Sequence, residues 1–483
     1  MGIVTTQSAK NMITIFGAFA IGAVNTLYFY PTFLKETYYG LVIFLLATSN
    51  LLMPLMAFGI QHTIIKFFSS YTDSEQKDRF LSTAILLPLA VILPTSLLAL
   101  WAHDGLIAWI SAKNPIIDSY AWVILLVAIA TGYFEVFYAW ARVQFQSVVG
   151  NILKEIFPRA TVFILMSCVM LDILSKEDFV WWLTGAYFLR LFLMILYAFS
   201  LYRPRWTFVL PDNFKSVLSY AAFIIVSGAA ASLLLDIDKF MIPQKEAIEF
   251  TAFYAVAVFI ATIVEVPGRA LFQILNPLMA KAINEQQTTE IKSLYQKSSI
   301  NLMVFSGWLF LLINLSIHSF YEMIPQKEYA GAVWVVLIVS FAKLFQMSFG
   351  CGPAILANSK FYKITLPFSL AMGLSVYFLN DVLIDRMGIN GAALSTLIVL
   401  VFFTILKVMY IRQKIGVQPY TFKTFQLLAV IVILFVVFNV LHWDLHPILS
   451  IVLKSLLVTL VYFTAMILFG FSPELNRWLR KRS

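Results

Sequence analysis

The sequence predicts an all-α integral membrane protein of about 14 transmembrane helices, on three observations. Hydrophobic types make up 61% of the 483 residues and charged types 12%, whereas a soluble domain carries about 25% charged residues. Apolar runs of roughly 20 residues, the length that crosses a bilayer as a helix, recur from end to end. The connections between them are short and polar, and their lysines and arginines alternate in density, which is the signature of a topology.

The elements follow in order. Spans are expected near 11–33, 40–61, 80–102, 119–140, 156–174, 179–201 and 217–236. They continue near 251–280, 298–317, 332–356, 364–384, 388–409, 424–441 and 447–471. The opening run MGIVTTQSAKNMITIFGAFAIGAVNTLYFYP is read as the first span. It is too long for a signal peptide, and no cleavage site of small residues follows it. SSYTDSEQKDR (69–79), NEQQTTEIKSLYQKSS (284–299) and YIRQKIGVQPYTFK (410–423) are polar connections. Residues 251–280 are too long for one straight crossing, and Pro267 and Pro277 interrupt them. KETYYG before the second span is echoed by KEYAG (327–331) before the tenth, and Pro243 by Pro31. Such echoes are expected of two halves that share a fold.

With the N-terminus in the cytoplasm, 23 of the 34 basic residues fall inside, seven outside and four within spans. That asymmetry supports an even number of spans with both termini cytoplasmic. It also accounts for the net charge of +9 without nucleic acid as a partner. Cys168 and Cys351 lie in apolar runs far apart, so no disulfide framework follows.

The four cations within spans are Arg190, Arg269, Lys343 and Lys454. A charge at mid-membrane costs about 2.5–3.5 kcal/mol on insertion scales, so it faces a cavity or a partner. Arg190 and Lys343 are too deep to snorkel. Either they line a polar cavity or each pairs with a structural carboxylate or backbone carbonyl. Lys454, in the last span, lies nearer its outer end. Glu265 and Arg269 flank Pro267 four residues apart, one helical turn, and so are placed to pair. That pair is either a self-neutralised kink or an arginine held until an anionic substrate arrives. Glu135 falls in the inner half of the fourth span. Asp236, Asp238 and Lys239 cluster at the outer end of the seventh, at the interface or as a coupling site. Asn11 and Asn25 are the polar candidates of the first span, which carries no charge.

No glycine-rich phosphate loop and no HExxH occur, so neither direct use of ATP nor zinc catalysis is expected, and no cofactor is implied. His442 and His446 have helical ligand spacing, but HWDLHP reads as an outer loop ending in proline. No connection is long enough to hold a catalytic domain. The chemistry left is translocation rather than enzymatic turnover. Four embedded cations against two clearly embedded acids, Glu135 and Glu265, fit an anionic headgroup whose phosphates arginine binds bidentately.

GIVTTQSAKN (2–11), GAVNTLYFYPTFL (22–34), LLLDIDKFMIP (233–243), FYAVAVFIATIVEVPGRALFQILNPLMA (253–280), YAGAVWVV (329–336) and GINGAALST (388–396) resemble the polysaccharide-biosynthesis branch of the multidrug/oligosaccharidyl-lipid/polysaccharide exporter superfamily. The resemblance covers nearly the whole chain. It implies two six-helix lobes in a V, residues 1–216 and 217–423, followed by two extra spans and a basic cytoplasmic tail in 424–483. It implies a flippase of the bacterial inner membrane for undecaprenyl-pyrophosphate-linked oligosaccharide (O-antigen, capsule or exopolysaccharide units), working by alternating access.

In related peptidoglycan-precursor flippases, arginines bind the pyrophosphate and the extra helices help form a lipid groove. By that analogy Arg190, Arg269 and Lys343 are headgroup candidates and Lys454 a lipid-groove candidate. Glu265, Glu135, Asp236 and Asp238 are the partner or coupling acids. The implied partners are the lipid-linked substrate, membrane lipids, a polysaccharide polymerase and glycosyltransferases. The alternatives are a cation-coupled multidrug exporter of the same superfamily, or a membrane-embedded polysaccharide polymerase or ligase. The drug exporters often carry an acid in the first span, which is missing here.

Overall fold

The computed structural model describes residues 2–324, 326–441 and 446–471, with side chains from residue 13 onward except at 270 and 273. The side chain of Asn11, residues His442 to Asp444 and the basic tail lie outside the described residues. The described chain is helical, with no strand among its residues. It divides into two compact units, Met1–Ala252 and Phe253–Ser483. The lobe boundary at 216/217, which rests on resemblance, stays a proposal.

In the first unit, α1 (Gly2–Val24) runs into a π-helical stretch, Asn25–Leu34, and the chain turns at Lys35, whose φ is 62°. The rings of Tyr30 and Tyr39 stack across that turn at 4.5 Å. The apolar stretch Ile13–Met56 is therefore two crossings rather than one. The second crossing, α2 (Lys35–Met56), breaks at left-handed Phe58 and Gly59 before resuming as α3 (Ile60–Phe67). α4 (Ser74–Leu86) and α5 (Leu89–Trp101) form one crossing hinged at Pro88. α6 (His103–Ser111) and a short 3₁₀ turn lead into α7 (Ala121–Val143), α8 (Val148–Met170) and α9 (Lys176–Leu201). α10 (Phe214–Lys245) packs along α2. The side chain of buried Asn114 donates to the carbonyls of Pro243 and Glu246 at 2.6 and 2.9 Å and accepts from Ile248 N–H at 3.0 Å. It thereby ties down the backbone that leaves α10.

The second unit takes up most of α11 (Glu249–Thr262), which gives way at a 3₁₀ turn, Ile263–Glu265, to α12 (Val266–Asn284). α13 (Thr288–Met323) is its spine, packed against α12 and α14 (Val333–Ser348). After α15 (Gly352–Asn358) come α16 (Thr365–Met387) and α17 (Ile389–Ile415). The last two helices, α18 (Phe422–Val440) and α19 (Pro447–Phe469), dock on α13. There the Tyr462 hydroxyl donates to Val304 O at 2.8 Å and the Trp308 indole to Thr459 Oγ1 at 3.0 Å.

Among the described residues 12 segments are long and apolar enough to span. One of them contains the turn at Lys35. A further helix, α8, has crossing length but is made more polar by Lys154, Glu155 and Arg159. The count of about 14 thus stands, while several boundaries differ, three of them at candidate residues. The fifth crossing begins at Val148 rather than near 156. The seventh helix continues to Lys245, so Asp236, Asp238 and Lys239 lie within it. The tenth ends at Ser348, so Lys343 stands near its last turn.

Candidate functional site

In the second unit the break between α11 and α12 positions a charge cluster. Pro267 has no N–H and cannot bond the carbonyl four residues back, so the helix tightens at Ile263–Glu265 and restarts. Glu265 Oε1 receives Arg269 Nη2 at 2.9 Å, the pairing that the four-residue spacing predicts. Its other oxygen, Oε2, receives Lys343 Nζ from α14 at 3.0 Å. The two helices come this close because residue 268 is glycine. A Cβ there would lie 2.6 Å from Met347 Sδ, one turn beyond Lys343. Lys343 and Glu265 have side chains 16% and 19% exposed, and that of Arg269 is 45% exposed. One carboxylate thus bridges two cations from different helices.

In the first unit Arg190 on α9 is 5% exposed. Its guanidinium lies 4.4 Å from the ring centre of Phe134 and 4.7 Å from that of Tyr187. It donates to Thr131 Oγ1 at 3.2 Å, while its buried Nε has no hydrogen-bond partner among the described residues. The two aromatic faces supply attraction for a desolvated guanidinium that contacts no carboxylate among the described residues.

The remaining candidates are placed as follows. Glu135 pairs with Lys154 of α8 at 2.7 Å. Asp236 pairs with Lys239 at 2.7 Å and accepts from Asn50 of α2 at 3.3 Å. Asp238 is buried two residues on. Asn25 donates to the carbonyl of Arg159 at 2.8 Å, joining the first crossing to α8. Lys454 is half-buried on the stripe of α19 that carries Ser450, Val458 and Tyr462, with no hydrogen bond or ion pair among the described residues. The structure therefore brings Glu265, Arg269 and Lys343 together, and sets Arg190 and Glu135 in different surroundings of the first unit. No group of three metal-ligating side chains occurs among the described residues.

Sequence reasoning missed a polar pocket of about 220 Å³ in the first unit, lined by Gln61, His62, Glu135, Tyr138, Arg142 and Lys154. Arg142 and Lys154 had been assigned to a connection. Two signals could have found the pocket. Pro54 and Gly59 sit in the second apolar run, marking a break. Glu135, Tyr138 and Arg142 are spaced three and four apart, on one face of a helix.

Residues 8–282 match the family described as polysaccharide biosynthesis protein. No curated protein matches the chain. Among solved structures, a lipid II flippase MurJ in an inward closed conformation superposes with a TM-score of 0.69 at 13% identity, covering 95% of this chain and 99% of that one. An inward-facing multidrug resistance MATE transporter of the MOP superfamily gives 0.61 at 13% identity, over 85% and 97% of the two chains. A Vibrio cholerae MATE transporter gives 0.57 at 12% identity, over 86% and 99%. At these identities the likeness is one of fold.

Proposed function

We propose that this chain, which belongs to the polysaccharide biosynthesis protein family, is a flippase that carries a polyprenyl-pyrophosphate-linked oligosaccharide outward across the bacterial inner membrane. The observation that carries this reading is the set of cations held at membrane depth. Arg190 has no contacting carboxylate among the described residues, and Glu265 bridges Arg269 and Lys343. A diphosphate offers oxygens to both kinds of cation, and guanidinium binds them in pairs. Because Glu265 already occupies Arg269 and Lys343, an arriving diphosphate would exchange with a carboxylate rather than fill a bare site. Exchange limits the affinity, as a carrier that must release its cargo on the far side requires.

The basic residues concentrated in alternate connections support cytoplasmic termini, and alternating access is the expected cycle. Lys454, on the helix pair docked to α13, remains the lipid-groove candidate. Polymerase and glycosyltransferases are the expected neighbours in the pathway. An exporter of cationic drugs would need an acid free to meet its cargo. Glu135, Glu265 and Asp236 are each engaged by lysine or arginine.

The test is reconstitution into vesicles with a defined lipid-linked glycan, measuring protection of the sugar from an external probe. Arg190→Ala and Arg269→Ala are expected to cut the rate at normal protein levels. Undiminished translocation in both single variants and the double variant would remove these residues from the headgroup site.

A further inference from the structure

We infer that the polar pocket of the first unit is a second phosphate-recognition site, built by Arg142, Lys154 and Gln61, that holds the pyrophosphate end of the lipid-linked substrate. The inference rests on the flippase reading and deepens it.

Two cations converge on one ring. The Arg142 guanidinium lies 5.7 Å and the Lys154 ammonium 5.8 Å from the centre of Tyr138. Glu135 takes a single N–H of Lys154, and an ammonium carries three. The Arg142 guanidinium makes no hydrogen bond or ion pair among the described residues, so its planar fork is available to a tetrahedral oxyanion. The amide oxygen of Gln61 is buried without a partner. Rotation of that amide presents an N–H₂ donor in its place.

The volume, about 220 Å³, suits one phosphate-bearing group and is below the range of pockets that enclose larger ligands. Its position also fits. Gln61 and His62 open α3 directly after the left-handed break at Phe58 and Gly59, and interrupted helices at membrane depth serve as binding elements. Arg142 and Lys154 flank the short connection between α7 and α8, which the charge asymmetry assigns to the cytoplasmic side. The pocket would then meet the headgroup where the substrate is made. Glu135 opposes an anion, yet its charge is spent on Lys154. It acts as a brake on affinity that a carrier site needs.

The experiment is calorimetric titration of the full-length protein in detergent with inorganic pyrophosphate, in an Arg190→Ala/Arg269→Ala/Lys343→Met background that silences the other headgroup candidates. Saturable binding is expected. Arg142→Gln and Lys154→Gln should each weaken it tenfold or more, the loss of a charge-assisted hydrogen bond of about 1.4 kcal/mol. Glu135→Gln should tighten it by freeing Lys154, and Lys292→Gln, on an exposed lysine of α13, should leave it unchanged. Polyprenyl pyrophosphate in the same detergent should compete, and phosphatidylglycerol at the same mole fraction should not. Absence of saturable binding would overturn the site, as would unchanged affinity in Arg142→Gln and Lys154→Gln protein that remains monodisperse. Equal competition by phosphatidylglycerol would make it a bulk-lipid headgroup site and overturn the substrate assignment. Pyrophosphate binding in a protein that moves no glycan in vesicles would defeat the flippase reading and leave the anion site standing. Translocation without binding would do the reverse.

Discussion

Glu265→Gln removes the one negative charge that Lys343 and Arg269 share, and its cost follows from their unequal burial. At 3.0 Å the Lys343–Glu265 contact has a Coulomb attraction of about 5 kcal/mol at an effective dielectric near 20. Desolvation of both groups offsets a large part of it. Leaving a buried lysine without its carboxylate costs about 3 kcal/mol. The Arg269 side chain is 45% exposed, so its contact is worth less than about 1 kcal/mol. Lys343→Met should cost about 1 kcal/mol or less, because Glu265 keeps Arg269 and the methionine fills the space. The double variant Glu265→Gln/Lys343→Met should then be about 2 kcal/mol more stable than the sum of the single losses, since the stranded charge is gone. Denaturant titration of the detergent-solubilised protein, followed by intrinsic fluorescence, reads all four corners of this cycle. Additivity within about 0.5 kcal/mol would refute the shared carboxylate. So would an Arg269→Gln variant more costly than Glu265→Gln.

Two further outcomes test the fold around these sites. A Cβ at Gly307 would lie 2.4 Å from Ile431 Cδ1 and 3.0 Å from the Tyr462 hydroxyl, so Gly307→Ala should destabilise the docking of α18 and α19 on α13 by about 1–3 kcal/mol. Faster proteolysis between α17 and α18 is the readout. Asn114→Ala removes three hydrogen bonds to the backbone after α10 and should cost about 3 kcal/mol, seen as a lowered thermal midpoint, whereas a loss below about 0.5 kcal/mol would mean that water replaces them.

The comparison of sequence with structure is clearest at the charges. Glu265 and Arg269 were legible because their interaction is local. A four-residue spacing and a nearby proline fix it, whatever surrounds them. Lys343 was legible as a buried cation, but its partner was not, because that depends on α12 and α14 meeting at Gly268. The fifth crossing was started late for the same kind of reason. Lys154 and Arg159 lower the apolarity of that stretch, and their carboxylates, Glu135 and Glu155, do not cancel them in a linear reading of hydropathy. Arg142 and Lys154 thus passed for residues of a connection.

Composition determined that lipid is the solvent, and the recurrence of apolar runs of about 20 residues determined that the chain is helical and crosses about 14 times. In lipid a run of that length satisfies its backbone polar groups within itself as a helix. Only the tertiary structure decided which cations are neutralised and which are not. Burial makes an unpaired charge costly, while the partner that relieves the cost is chosen by which helix faces come into contact.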